Sequence, residues 1–309
     1  MLLAACAGHQ STLAPFGIAA EETRSLMLYL AVAAAVILAA VAALAIHAMR
    51  QPERSISHQQ GMRVVLWLGA IVPTVLLGLL LVLALPLMRP MASGPADLRI
   101  AVDGRQFWWH VEYRPNDRPP VASANEIRLP VGRTVVFDLT ASDVVHSFWI
   151  PGLAGKMDML PGRTNRLIVR ATRAGRYRGV CAEFCGLSHA LMAFDVIAMP
   201  AGDFDRWLAA RAVASPAANS AGSIAFARRG CDACHSLSTS ATATAIGPNL
   251  ARLGERPTLG AGILPMNEAS VAAFIRDPAA AKPGVRMPAT PDMTDIEARA
   301  IARFLLERR

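Results

Sequence analysis

Cys181-Ala-Glu-Phe-Cys185-Gly-Leu-Ser-His189-Ala-Leu-Met192 places two thiols, an imidazole and a thioether within twelve residues. Soft sulfur with imidazole selects copper, and a mononuclear blue site needs one thiolate rather than two. Two thiolates therefore invite two bridged copper ions. A Cys181–Cys185 disulfide or a zinc site is the alternative, and a disulfide would leave His189 and Met192 without a purpose at this spacing. A second imidazole would complete a copper site. His146 offers one, in the strand-like run Asp143-Val-Val-His-Ser-Phe-Trp-Ile-Pro151, which ends in a turn.

The chain around this loop reads as short strands: Leu98–Asp103, Gln106–Arg114, Glu126–Leu129, Thr134–Leu139, Val144–Ile150, Arg166–Arg170, Arg176–Val180 and Met192–Ile197. They are rich in Val, Ile and aromatics, and Gly, Pro or Asn separate them. This spacing predicts a β-sandwich, a frame in which rigid strands fix ligands carried on a loop. His110 falls in the second of these strands and is expected at the surface.

Further along, Cys231-Asp-Ala-Cys234-His235 is the C-x-x-C-H attachment sequence of c-type haem. Its thiols add to the haem vinyl groups, and the adjacent imidazole is placed to ligate iron. A distal sulfur could come from Met266, Met287 or Met293. Helices are predicted over Ala201–Ala214, Ile224–Arg229 and Ala269–Arg276. A capping box, Thr294-Asp-Ile-Glu297, opens a last helix to about Glu307. The Ser/Ala/Gly/Pro-rich stretch Ser215–Ser223 reads as a linker.

Toward the N-terminus the pattern changes. Leu26–Ala48 and Val64–Met88 contain no charged residue, and each is long enough, at roughly 35 Å, to cross a bilayer as a helix. The loop between them holds Arg50, Arg54 and Arg63, which places it in the cytoplasm and everything after the second helix on the far side. His9, His47 and His58 flank or line this hairpin as bland interfacial residues. Leu3-Ala4-Ala5-Cys6 matches a bacterial lipobox, so a lipid anchor at Cys6 is expected, although only five residues precede it. The remaining four cysteines are taken by the two motifs. Across all 309 residues, 53% are hydrophobic and 17% charged, which excludes a disordered chain. The net charge of +8 is spread along the chain and carried almost wholly by arginine, so no phosphate-binding stripe forms and no nucleic-acid partner is expected.

Taken together, the paired apolar helices, the His146 strand, Gly155-Lys-Met-Asp-Met-Leu-Pro-Gly-Arg163 and the loop Cys181–Met192 resemble cytochrome c oxidase subunit II. The C-x-x-C-H region makes the chain similar to the caa-type version, with a class I cytochrome c fused behind that subunit. The resemblance implies a cupredoxin-like domain holding the binuclear CuA centre through His146, Cys181, Cys185, His189, Met192 and the backbone carbonyl of Glu183. It points the Glu183 carboxylate to a magnesium ion shared with subunit I. It implies that the loop with Pro248 hydrogen-bonds the proximal His235, and that Met287, in a KPG-x-x-MP-like loop, is the distal iron ligand. The implied function is electron input to a terminal oxidase: from a donor such as cytochrome c or a quinol–cytochrome c reductase, through haem c and CuA, to haem a in subunit I, where oxygen is reduced to water. Subunit III is a further implied partner. The implied location is the bacterial inner membrane, with both termini and both centres on the periplasmic side. A membrane-anchored carrier with both centres and no oxidase partner is the competing reading.

Two positions depart from the pattern. The family's second-helix Glu, a feeder of a proton channel, falls on Leu66, and its electron-entry aromatic, usually Trp, falls on Phe107, beside Trp108 and Trp109. The expected organisation is an N-terminal segment (1–25), a transmembrane hairpin (26–96), the cupredoxin domain (97–200), a helix and linker (201–222) and an all-α cytochrome c domain (223–309).

Overall fold

The computed structural model describes residues 8, 10–50, 57–88, 96–211, 220–240 and 246–308. The lipobox cysteine Cys6 and residues 215–219 of the expected linker lie outside them. Packing divides the chain into two units, one of residues 21–93 and one of residues 1–20 with 94–309.

The first unit is helical. Helix α1 runs Ile18–Arg50, starting earlier than the apolar run because Glu21 and its polar neighbours suit a first helical turn. Ser57 caps the second helix in a reciprocal box with Gln60, which moves its start from Val64 to His58. That helix continues through α2 (His58–Val64), a wide turn over Val65–Ile71 and α3 (Val72–Ala84). In the wide turn the Val72 N–H reaches back five residues to the Trp67 carbonyl. The widening sits directly before Pro73, whose ring cannot fit a regular turn and whose nitrogen donates nothing. Both helices are long and apolar enough to span a membrane, and nearly all their large apolar side chains are exposed.

The second unit begins with two five-stranded sheets. One has the order β3-β2-β1-β5-β8, from β1 (Leu98–Arg105), β2 (Trp108–Arg114), β3 (Val121–Ala124), β5 (Thr134–Ala141) and β8 (Asn165–Arg170). The other is β4-β10-β9-β6-β7, from β4 (Glu126–Pro130), β6 (His146–Trp149), β7 (Met157–Met159), β9 (Gly175–Cys181) and β10 (Ala193–Met199). Strand β1 alternates buried and half-buried residues along its length, as a sheet with one face on a core requires. Between the sheets Trp109, Phe148 and Phe194 pack edge-on or stacked at 4.9–5.9 Å. Gly179 makes this possible, because a Cβ there would fall inside the Phe194 ring. Residues 14–17 close on the same sandwich: the Phe16 amide and carbonyl bond Gly152 and Thr172, and its ring stacks on Tyr177.

Sequence patterning did not give β3 or β7. The first is a run of small residues behind Pro119-Pro120, and the second is three residues long. Gln106 and Phe107 fall in the turn before β2 rather than in the strand. His110, expected at the surface, is half-buried and meets the Trp108 ring edge-on.

Helix α4 (Ala201–Arg211) packs Phe204 and Trp207 on Tyr113 of the sandwich. The C-terminal helices are α5 (Ala221–Arg228), α6 (Glu268–Arg276), α7 (Pro278–Ala281) and α8 (Asp295–Leu306). Their core includes Phe226, Val271, Ile301, Phe304 and Leu305. Thr294 caps α8 as expected, accepting from the Glu297 amide. The other half of the expected box is not made in that form: the Glu297 carboxylate instead pairs with Arg228 and Arg229 of the facing helix end.

This helical region is seated on the sandwich along several seams. The Ala122 amide of edge strand β3 donates to the Thr239 carbonyl at 2.9 Å. The Ala193 amide and the Arg178 guanidinium donate to the Ala261 and Gly262 carbonyls at 3.1 and 2.7 Å. Arg211, itself buried, pairs with Glu255.

Candidate metal and haem centres

Strand β6 delivers His146, the end of β9 delivers Cys181, and the loop to β10 carries the other donors. The two cysteines are free thiols, with Sγ atoms 3.8 Å apart, so no disulfide joins them. On one side of the pair, His146 Nδ1 lies 3.8 Å and the Glu183 carbonyl 3.2 Å from Cys181 Sγ. On the other, His189 Nδ1 lies 3.7 Å and Met192 Sδ 3.8 Å from Cys185 Sγ. His146, Cys181, Cys185 and Met192 are all buried. The ligating atoms of His146, Cys181 and Cys185 fall within 4.8 Å of one another, a set that does not take in His189.

The electrostatics suit a cation. The Cys181 thiol ionises well below the usual thiol range: the hydrogen bond from Cys185 outweighs burial, and His146 and backbone amides add to it. Cys185 is pushed up by that same bond, by burial and by the Cys181 charge. Burial alone would lower His146, but Cys181 and Asp143 raise it. His146 Nε2 meets Asp143 Oδ1 at 2.9 Å. A carboxylate can only accept, so Nε2 carries a proton toward Asp143, and Nδ1 is the ring nitrogen that faces the sulfur.

Three residues close to the site carry no motif signal. Asp143 orients His146 and accepts from the Gln106 amide at 2.7 Å. Gln106 also donates from its side chain to the Cys185 carbonyl at 2.6 Å. Ser188, inside the loop, is fully buried and donates to the Pro283 carbonyl at 2.6 Å. Of the three aromatics, Phe107 and Trp109 are buried. Trp108 is half-buried, with the Arg105 guanidinium over its ring. The Trp109 ring lies 6.2 Å from the His146 ring. The Glu183 carboxylate is half-exposed, with the Lys156 ammonium at 4.0 Å.

At the second motif, Gly230 in the left-handed region ends α5 and turns the chain into Cys231. The Cys231 carbonyl then accepts from the His235 amide at 3.0 Å. His235 Nδ1 lies 2.8 Å from the Pro248 carbonyl. A carbonyl only accepts, so Nδ1 holds the proton and Nε2 presents a lone pair. Burial keeps this imidazole below its ordinary pKa against the pull of Pro248, so it stays neutral and able to ligate. Gly247 lies against the ring, since a Cβ there would stand 2.6 Å from the His235 Cε1. Met293 is 2% exposed and packs in the helical core, whereas Met266 and Met287 are only partly buried against it.

Comparison with known proteins relates two stretches of this chain to described families. Residues 117–199 match the cytochrome c oxidase subunit II periplasmic domain, and residues 220–308 match cytochrome c. A cytochrome c oxidase subunit 2 of Alkalihalophilus pseudofirmus is 39% identical over 69% of this chain and 61% of its own length. One of Bacillus subtilis is 34% identical over 76% of this chain and 69% of its own. The crystal structure of the periplasmic domain of a cytochrome oxidase subunit II from Bradyrhizobium japonicum aligns at 29% identity and a TM-score of 0.36. That alignment covers 39% of this chain and 96% of that one. The aligned region thus spans less than two thirds of the first of these relatives and just over two thirds of the second. The chain belongs to the cytochrome c oxidase subunit II family, with a cytochrome c domain behind the periplasmic domain on the same polypeptide.

Proposed function

We propose that this chain is the electron-input subunit of a terminal cytochrome c oxidase in a bacterial inner membrane, with both soluble domains on the periplasmic side. Cys181, Cys185, His146, His189, Met192 and the Glu183 carbonyl would together hold a pair of copper ions. The observation that carries this reading is the split of donors about the thiols. A tetrahedral zinc site needs four ligands converging on one point, and His189 lies outside the set that His146, Cys181 and Cys185 form. A thioether beside Cys185 suits copper and not zinc.

Cys231 and Cys234 would hold haem c covalently, with His235 and Met287 supplying donors to its iron. When bound, the copper pair and the haem each accept and release single electrons. The chain's own residues fix their ligands in place. Asp143 holds His146 in one tautomer, Pro248 does the same for His235, and burial excludes water from the thiols. Rigid ligands keep rearrangement between oxidation states small, which favours fast transfer. Oxygen reduction would take place in subunit I, with subunit III as a further partner and a cytochrome or a quinol–cytochrome c reductase as donor. A magnesium ion at the Glu183 carboxylate would have to displace or share it with Lys156. Phe107 and Trp109 are packed too deeply to receive an external donor directly, so electron entry at this face would fall to Trp108. Leu66, on the second helix, offers no carboxylate for proton entry.

The test is spectroscopy on the full chain purified from its membrane. A mixed-valence copper EPR signal from two equivalent ions and a reduced c-type haem band are expected, with a haem a subunit co-purifying. Cys185→Ser should abolish the mixed-valence signal and keep the haem band. One zinc per chain and no copper would overturn the copper reading. Both centres without a haem a partner would make the chain a carrier.

A further inference from the structure

Ser188 sits between Cys185 and His189, and its side chain points away from both toward another domain. Its hydroxyl donates to the Pro283 carbonyl at 2.6 Å, and the residue is fully buried. Pro283 opens the short loop that ends at Met287. The rest of this loop is laid on the copper loop and its supports. Val285 packs on the sandwich core. A Cβ on Gly284 would stand 3.2 Å from Leu187 and 3.4 Å from Phe107, and the positive φ of this residue lets the turn follow the surface closely. Arg286 reaches within 3.9 Å of Asp143, the residue that orients His146. Behind the loop, the buried Lys282 ammonium donates to the Gly260 carbonyl at 2.7 Å and ties it to its own domain.

We infer that Ser188 is a positioning residue for electron passage between the two centres, its hydroxyl fixing loop 282–287 on the copper loop. The inference rests on the function proposed above and adds the side chain that sets the distance. The step moves one electron: haem iron is oxidised from ferrous to ferric, the copper pair is reduced by one electron, and no bond forms or breaks. Tunnelling falls off exponentially with the gap, so a hydrogen bond that removes a van der Waals gap matters more to rate than to stability. Ser188 neighbours the copper ligand His189 in sequence, and Pro283 lies four residues before Met287. The bond therefore links the two ligand-bearing loops at their point of contact.

The experiment uses the full chain with both centres loaded. Haem c is reduced by a flash with a soluble ruthenium photoreductant, and its reoxidation is followed together with the copper absorbance. Ser188→Ala is expected to slow the intrachain step about tenfold, as loosened positioning does in preorganised sites. The reduction potentials and copper EPR signal should stay unchanged. Amide hydrogen exchange at 284–286 should rise in the same variant, a readout independent of electron transfer. Ser188→Thr, which keeps the hydroxyl, should restore both. Unchanged rate and exchange in Ser188→Ala would overturn the inference, as would a slowed rate accompanied by an altered copper signal. If the unsubstituted chain lacks either centre, the parent reading fails; if both centres are present and Ser188 has no effect, only this inference fails.

Discussion

Asp143 accepts from the Gln106 amide with one carboxylate oxygen and from His146 with the other. Burial raises its pKa, but these bonds outweigh that and hold it below the usual carboxylate value. It stays ionised and so keeps the His146 proton on Nε2. Asp143→Asn would keep the shape and remove the charge, and the amide nitrogen would confront a donor on one side. Outer-shell changes of this kind cost about 10- to 100-fold in metal affinity. The expected outcome is a copper titration shifted by that range with both thiols still free in the apo chain. An unshifted titration would mean that His146 needs no orienting partner.

Elements show what local spacing encodes and what it does not. The thiol, imidazole and thioether spacing of residues 181–192 was readable because one loop carries most of the donors. The C-x-x-C-H motif was readable for the same reason. The cap at Thr294 was readable from four residues. Gln106 and Ser188 were not, because each acts on a group brought near by sheet pairing or domain seating: Gln106 and Cys185 are 79 residues apart, and Ser188 and Pro283 are 95 apart. Asp143 lies only three residues before His146, but an acid at that spacing forms no motif by itself. The Glu297 carboxylate went to arginines of another helix end for a similar reason: Arg228 and Arg229 are charged donors, stronger than a lone backbone amide. Gly222 marks where α5 crosses α8. A Cβ there would fall on the Ala300 carbonyl and stand 2.7 Å from the Phe304 Cβ. Gly222→Ala gains helix propensity but overpacks this crossing, and overpacking costs about 1–3 kcal/mol. Thermal melting followed at the haem band should therefore shift down in this variant. A melt that moves up would show that the helices can slide apart without loss.

At the scale of the molecule, the two soluble domains are joined by bonds that salt barely weakens. The seam includes backbone amides on carbonyls at β3 and β10, the Arg178 bond to Gly262, the Ser188 bond to Pro283, the Thr258 hydroxyl on Asp195, and the mostly buried pair of Arg211 with Glu255. Arg286, opposite Asp143, adds an exposed charge to this seam near the copper loop. Exposed charges lose their attraction beyond about 10 Å at 0.1 M salt, whereas buried pairs and neutral hydrogen bonds do not. Two proteins that meet through complementary charge associate far more slowly as ionic strength rises. The intrachain step of this protein should behave otherwise. Between about 0.05 and 0.5 M salt its rate should change less than about twofold, while delivery from a separate donor would fall over the same range if charge guides that encounter. Flash reduction of haem c in the intact chain, repeated across the salt series, separates the two processes because only the second depends on donor concentration. A steep fall in the concentration-independent phase would show that the helical domain is held by charge and leaves its seat, contrary to the packing at Ser188, Val285 and Ala122.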